Sequence, residues 1–196
     1  MLLMTVFYTS WILPLFNKLL PLADGELRSA IEEYSIINNF PLKDIFVMDG
    51  SKRSSKANAF FSGLGKKKKI VLFDTLIKEH SIGELVAVLA HETGHFKLKH
   101  TRTGFIAGIL QTGFMLFVFS LLQGNPSLFE ALGAQQAGLH LELLAFALLY
   151  SPVSAVSGIL MHLLSRKNEY EADAFAKSTY DGMALSSALK KLSADN

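Results

Sequence analysis

Two long stretches without a charged side chain constrain this sequence more than anything else in it. No Asp, Glu, Lys or Arg occurs between Arg102 and Glu130, and a second such stretch runs from Leu143 to Ser165. Within the first, Gly104–Leu122 supplies about 19 mostly apolar residues, the length at which an α-helix crosses the hydrocarbon core of a bilayer. Lipid offers backbone amides no water to bond, so stretches of this kind are expected as helices, over about 103–123 and 143–165. Pro152 is expected to kink the second where neighbouring helices accommodate it. Gly124, Asn125 and Pro126 open a polar turn region between the two, so the pair reads as a hairpin that leaves and returns on one side. On that side lie His91–Lys99 and Arg166–Lys177. Composition agrees: half of the 196 residues are apolar and 18% are charged, against about 25% charged in ordinary soluble domains.

Met1–Phe16 is also uncharged and mostly apolar, but it has neither the basic start nor the small-residue cleavage pattern of a signal peptide. It reads as the end of a membrane helix or a short anchor, with a buried N-terminal helix as the alternative, and the chain leaves it at Pro14, Lys18 and Pro21. The expected division is therefore a hydrophobic, truncated membrane helix over 1–22 and a single domain over 23–196 that includes both apolar spans. A formal net charge of +2 gives no electrostatic case for nucleic acid. The absence of cysteine excludes a disulfide framework, a thiolate metal site, a Cys nucleophile and prenylation of this chain itself.

The water-facing part begins at Asp24, where Leu27, Ile31, Tyr34 and Ile37 recur at helical spacing opposite Glu26, Arg28, Glu32 and Glu33. Pro41–Asp49, Ala57–Phe61 and Ile70–Phe73 read as strands around a hairpin, with Gly63, Gly65 and Lys66–Lys69 as its turn. The lysine run is a solvated loop tip on one reading and a contact for anionic lipid headgroups on the other. Ser81 and Glu84 have capping-box spacing at the start of a helix expected to run to His100.

That helix carries His91-Glu92-Thr93-Gly94-His95. Helical positions four apart share a face, so both imidazoles can reach one metal ion, while Glu92 can face the water in its open position. This is the HExxH arrangement of zinc metallopeptidases. A hydrolytic zinc needs three protein ligands, and Glu169 is the best candidate for the third. Glu169 and Asp173 are four apart, so one can bind metal while the other orients a ligating histidine by hydrogen bonding; Glu171 is expected to point elsewhere. His100, nine residues past His91, reads as a surface group at the helix end, and His80 as capping or exposed. His162 lies inside an apolar span, a functional position unless it reaches the interface beside Arg166.

His91–His95, Glu169–Asp173 followed by Ala174-Phe175-Ala176, and Ser51-Lys52-Arg53-Ser54-Ser55 leading to Asn58-Ala59 together resemble the integral-membrane M48 metallopeptidases, of the CAAX prenyl protease 1 type. The resemblance runs from Pro14-Leu15-Phe16-Asn17-Lys18 to Leu189. It implies one zinc ion per chain held by His91, His95 and Glu169, Glu92 as general base, Asp173 behind a ligand, and Asn58, Ala59 and Phe60 on an edge strand that aligns substrate backbone. An exposed strand edge can pair with an extended peptide through main-chain hydrogen bonds. The implied fold is a mainly α membrane protein, with a transmembrane helical hairpin, gluzincin-like zinc-binding helices and a small β-sheet, and 23–196 becomes its catalytic domain. Family members carry further spans ahead of Met1 and a further segment beyond Asn196, so the resemblance makes this chain the core of a longer, multi-pass protein. Its membrane would be the inner or plasma membrane in a prokaryote and the endoplasmic reticulum in a eukaryote.

The function implied is zinc-dependent endopeptidase cleavage, processing the C-terminal CaaX motif of prenylated proteins or related membrane-associated peptides. Peptide or prenylated protein and membrane lipid are the expected partners, and nucleic acid is not. The alternatives are a membrane quality-control zinc peptidase of the same clan and a non-catalytic scaffold with a structural zinc site.

Overall fold

Ser81 starts the helix on which the fold is centred. Its hydroxyl accepts from the Glu84 backbone N–H while the Glu84 carboxylate accepts from the Ser81 backbone N–H, completing the expected capping box. In this computed structural model, residues 19–49, 59–62, 68–132 and 138–194 are described. In order, the elements are β1 (Leu19–Pro21), α1 (Glu26–Ile37), β2 (Leu42–Met48), β3 (Ala59–Ser62), β4 (Lys68–Phe73), α2 (Asp74–Glu79), α3 (Ile82–Lys97), α4 (His100–Leu122), α5 (Pro126–Ala131), α6 (Leu139–Thr179) and α7 (Gly182–Ala194). Met1–Phe16, Ser51–Asn58, Lys66 and Lys67 lie outside the described residues. The chain divides into two compact units, one comprising residues up to Thr101 together with those from Asn168 onward, the other Arg102–Lys167.

In the first unit, one four-stranded sheet has the order β1-β2-β4-β3. β1 pairs antiparallel with β2, with Leu19 opposite Met48, so residues 19–21 form a strand and not the tail of a hydrophobic helix. β2 and β4 are parallel, and β3 pairs antiparallel with β4, which puts β3 at a sheet edge. Lys68 and Lys69, expected in a turn, are the first residues of β4. Their ammonium groups lie over aromatic rings: Lys68 Nζ sits 4.8 Å from the centre of Phe96 and Lys69 Nζ 5.4 Å from that of Phe46. Long aliphatic stems and a cation–π contact let lysine occupy a strand beside apolar neighbours.

The core lies between this sheet and the helices, built on Ile31 and Tyr34 of α1, Ile45, Ile70 and Leu72 of the sheet, Leu76 of α2, and Leu85, Val86, Ala87, Leu89 and Ala90 of α3. Ala176 and Leu185 join it from α6 and α7. Ile37 ends α1 exposed, and Ser35 takes a buried place because its hydroxyl is satisfied by the Ile31 carbonyl, 2.7 Å away. Tyr34 closes the far side: the Thr179 hydroxyl donates to the Phe175 carbonyl and so receives the Tyr34 hydroxyl at 3.0 Å.

In the second unit the apolar helical segments pair antiparallel. Gln111 Nε2 donates to Ser157 Oγ at 3.3 Å, the Phe119 and Phe146 rings meet edge-on at 5.1 Å, and the Gly124 N–H donates to Glu142 at 3.2 Å. Gly124 turns the chain with φ +73°. α6 runs through Pro152 as one helix of 41 residues. α4 and α6 are long and apolar enough to cross a membrane, and their most apolar windows are 0% and 11% buried.

Two contacts in the first unit carry measurable stability. A Cβ on Gly94 would lie 3.1 Å from both Ala172 Cα and Phe175 Cβ and 3.2 Å from the Ala172 carbonyl oxygen, with backbone on the opposing side. Alanine gains about 1 kcal/mol in helix propensity but overpacking costs about 1–3 kcal/mol. Valine forfeits most of that gain and adds two methyl groups, so Gly94→Val is expected to destabilise by about 2 kcal/mol or more, measured as a lower thermal midpoint. At the start of α3, the buried Glu84 carboxylate accepts from Lys191 Nζ at 2.7 Å and from the Ser187 hydroxyl at 2.6 Å, which draws its pKa down from 4.5 to about 2. A depressed folded pKa means stability present above about 4.5 and lost as pH falls toward about 2. Lys191→Met should therefore lower the thermal midpoint at neutral pH, with the gap to wild type closing across that acid window.

Candidate metal centre

α3 and the C-terminal part of α6 bring together the residues that the sequence pattern singled out. His91 Nε2 and His95 Nε2 are 3.1 Å apart, and Glu169 Oε2 lies 3.4 Å from the first and 3.5 Å from the second. Their ligand atoms form a group able to hold one metal ion. Metal–donor distances of about 2.0–2.1 Å in a tetrahedron separate neighbouring donors by about 3.3–3.4 Å. The three atoms therefore outline one face of such a tetrahedron, and two imidazoles with one carboxylate are a donor set suited to zinc. The residues fit the ion.

The supporting hydrogen bonds fix which nitrogen faces the centre. Asp173, one helical turn after Glu169, accepts from His91 Nδ1–H at 2.8 Å, so the lone pair of a neutral His91 ring is on Nε2. Burial pushes the His95 imidazole pKa down and the His91 ring adds to this, with Glu169 opposing, which favours a neutral ring able to ligate. Burial likewise pushes the Glu92 carboxyl up; His91 opposes and Glu169 reinforces the shift. A partly buried carboxylate with a raised pKa is a better proton acceptor than an exposed one.

His100 was expected at the surface and is instead buried, with Nδ1 3.0 Å from His95 Nδ1 and Nε2 3.0 Å from Glu171 Oε2. The cause is the end of the helix. α3 stops at Lys97, and Lys99 takes φ +60° while its N–H bonds the Phe96 carbonyl, so the helical run is interrupted before α4 starts at His100. On one continuous helix His100 would lie about 140° from His95. Glu171, expected to point elsewhere, is the partner that holds it. The spacing of three histidines at 91, 95 and 100 is visible in the sequence, but Lys99 is not a residue that announces a left-handed turn.

His80 is buried as well; it occupies the C-cap position of α2, and its Nδ1 lies 3.2 Å from the Leu76 carbonyl. His140 and His162 are exposed in the second unit. Of the expected substrate strand, Asn58 lies outside the described residues, while Ala59 and Phe60 are in β3, opposite Leu72 and Val71.

Comparison with known proteins agrees with this geometry. The profile of peptidase family M48 matches residues 21–193. The chain is 41% identical over 196 residues to a CAAX prenyl protease 1 homolog of Oryza sativa subsp. japonica, covering 100% of this chain and 46% of that protein. It is 36% identical over 234 residues to the CAAX prenyl protease 1 homolog of Homo sapiens, covering 100% of this chain and 49% of the other. The crystal structure of S. mikatae Ste24p superimposes with a TM-score of 0.84 at 37% identity, over 97% of this chain and 48% of that one. The chain thus spans about half the length of these relatives. Matched by the family profile over most of its length, and carrying HExxH and Glu169 within ligand distance of one another, the chain belongs to peptidase family M48.

Proposed function

We propose that this chain is the zinc-binding core of a membrane-embedded endopeptidase that processes C-terminal CaaX motifs of prenylated proteins. The observation that carries the reading is the near-tetrahedral face formed by His91, His95 and Glu169 with Glu92 beside it. The CAAX prenyl protease names of its relatives support the substrate class.

When bound, zinc supplies Lewis acidity to water and to the scissile carbonyl. Glu92 accepts a proton from the attacking water at its carboxylate and returns it to the leaving amine. Asp173 keeps the His91 ring in its ligating orientation through the Nδ1–H bond. The edge of β3 at Ala59 and Phe60 has β4 on one side only among the described residues, and its free edge suits an extended peptide laid antiparallel or parallel to it. Exposed apolar side chains such as Leu110, Phe117, Leu148 and Leu160 support embedding α4 and α6 in lipid. Arg102 and Arg166-Lys167 flank the spans at one end, while residues 122–142 contain no Lys or Arg, an asymmetry that supports a cytosolic location for that end of the spans.

Metal content tests the ligand set first. Glu169→Ala should lose most of the zinc, because two ligands remain, whereas Asp173→Ala should weaken affinity by about 10- to 100-fold. Full zinc occupancy in Glu169→Ala would remove Glu169 from the set. Glu92→Gln tests the chemistry: it keeps the side chain's size and removes its basicity. Zinc should stay bound while cleavage of a prenylated C-terminal peptide falls by about 10²- to 10⁴-fold. Equal cleavage rates for wild type and Glu92→Gln would sink the assignment of the base.

A further inference from the structure

We infer that His100 and Glu171 form a second positioning pair for the metal centre, locking the tautomer and orientation of His95 as Asp173 does for His91. The inference rests on the zinc reading for its purpose, but its geometry stands on hydrogen bonds alone. Glu171 Oε2 lies 3.0 Å from His100 Nε2, and a carboxylate can only accept there, so the His100 proton is on Nε2. The lone pair of a neutral His100 is then on Nδ1, which faces His95 Nδ1 at 3.0 Å. Toward His100, His95 then donates from Nδ1, and in that tautomer the lone pair of its Nε2 is directed at the point shared with His91 Nε2 and Glu169 Oε2.

With the site committed to a metal the opposite tautomer is unfavourable twice over, whereas without one its Nε2–H could donate to His91 Nε2, 3.1 Å away. With its proton on Nε2, His95 would turn a lone pair toward the lone pair of His100 and put an N–H where a ligand atom is needed. His100 is 6% exposed, so water is not at hand to relieve that clash. Both ligating imidazoles are thus held from behind by carboxylates of α6, directly by Asp173 and through the His100 ring by Glu171. Outer partners of this kind fix ring orientation, and their loss typically weakens metal affinity about 10- to 100-fold. His100 does not touch the reacting atoms on this reading; it acts through His95.

The full chain in detergent micelles provides the test, with two readouts. The first is ¹⁵N–¹H correlation of the imidazole rings in the metal-free wild type, at a pH where the rings are neutral. His100 should carry its proton on Nε2, held by Glu171; a His100 proton on Nδ1 would overturn the inference. The second is zinc affinity by competition with a chromophoric chelator. His100→Leu should bind zinc about 10- to 100-fold more weakly. His100→Asn, whose side-chain oxygen takes the place of Nδ1 as acceptor, should recover to within a few-fold of wild type. Equal losses in the two variants, or none in His100→Leu, would assign His100 to packing and overturn the inference. If the wild type itself binds no zinc, the metal reading fails, and the tautomer measurement still decides the hydrogen-bond relay.

Discussion

The close approach of α3 to the C-terminal part of α6, made at Gly94 and Ala172, is the contact on which the metal centre depends. Gly94 immediately precedes His95, and Ala172 immediately precedes Asp173, so the contact lies within the cluster of ligands. With only 3.1 Å between a virtual Gly94 Cβ and the Ala172 backbone, even a methyl group there would need the opposing backbone to give by a few tenths of an ångström. That proximity is what lets a short glutamate reach within 3.5 Å of two imidazoles and an even shorter aspartate reach the back of one. The HExxH motif is therefore two things at once, a ligand spacing on one helix and a packing site for the next.

Around that contact, carboxylates of α6 face the three imidazoles. Glu169, Glu171 and Asp173 alternate along α6 and serve different atoms: the metal position, His100 and His91. At the other end of α3, Glu84 caps the helix and accepts from Lys191 and Ser187, tying α7 to the helix that bears the histidines. A capping carboxylate that also binds a lysine from a distant helix couples a local backbone need to tertiary structure. The depressed Glu84 pKa is the electrostatic mark of that coupling.

The second unit obeys a different constraint. Its apolar windows are almost wholly unburied within the protein, which is the reverse of what a core helix of a soluble domain shows. Its polar side chains bond mostly within their own helix, as Ser151, Ser154 and Ser157 do to carbonyls three residues back, while Gln111 to Ser157 and Glu142 to the Gly124 N–H link one segment to the other.

What the sequence determined by itself was whatever depends on spacing within one helix. The i, i+4 pairs His91/His95 and Glu169/Asp173 and the capping box at Ser81 are local periodicities and appear as read, and the two long uncharged stretches are helical, the second within a longer, charged helix than expected. The pairing of the two motifs came from the need of a hydrolytic zinc for a third ligand, joined by the family resemblance, since nothing in the spacing between Glu92 and Glu169 says that they meet. Tertiary structure decided the rest. The sheet order β1-β2-β4-β3, with a parallel pair at its centre, follows from non-local pairing that short apolar runs do not specify. His100 enters the site only because Lys99 adopts a left-handed conformation that glycine ordinarily marks, so a helix reading carried it to the wrong face. Lys68 and Lys69 stand in a strand by pairing with β2, with their ammonium groups over Phe96 and Phe46, rings from other elements. Local periodicity is written in neighbouring residues, whereas these contacts depend on where a distant segment comes to rest.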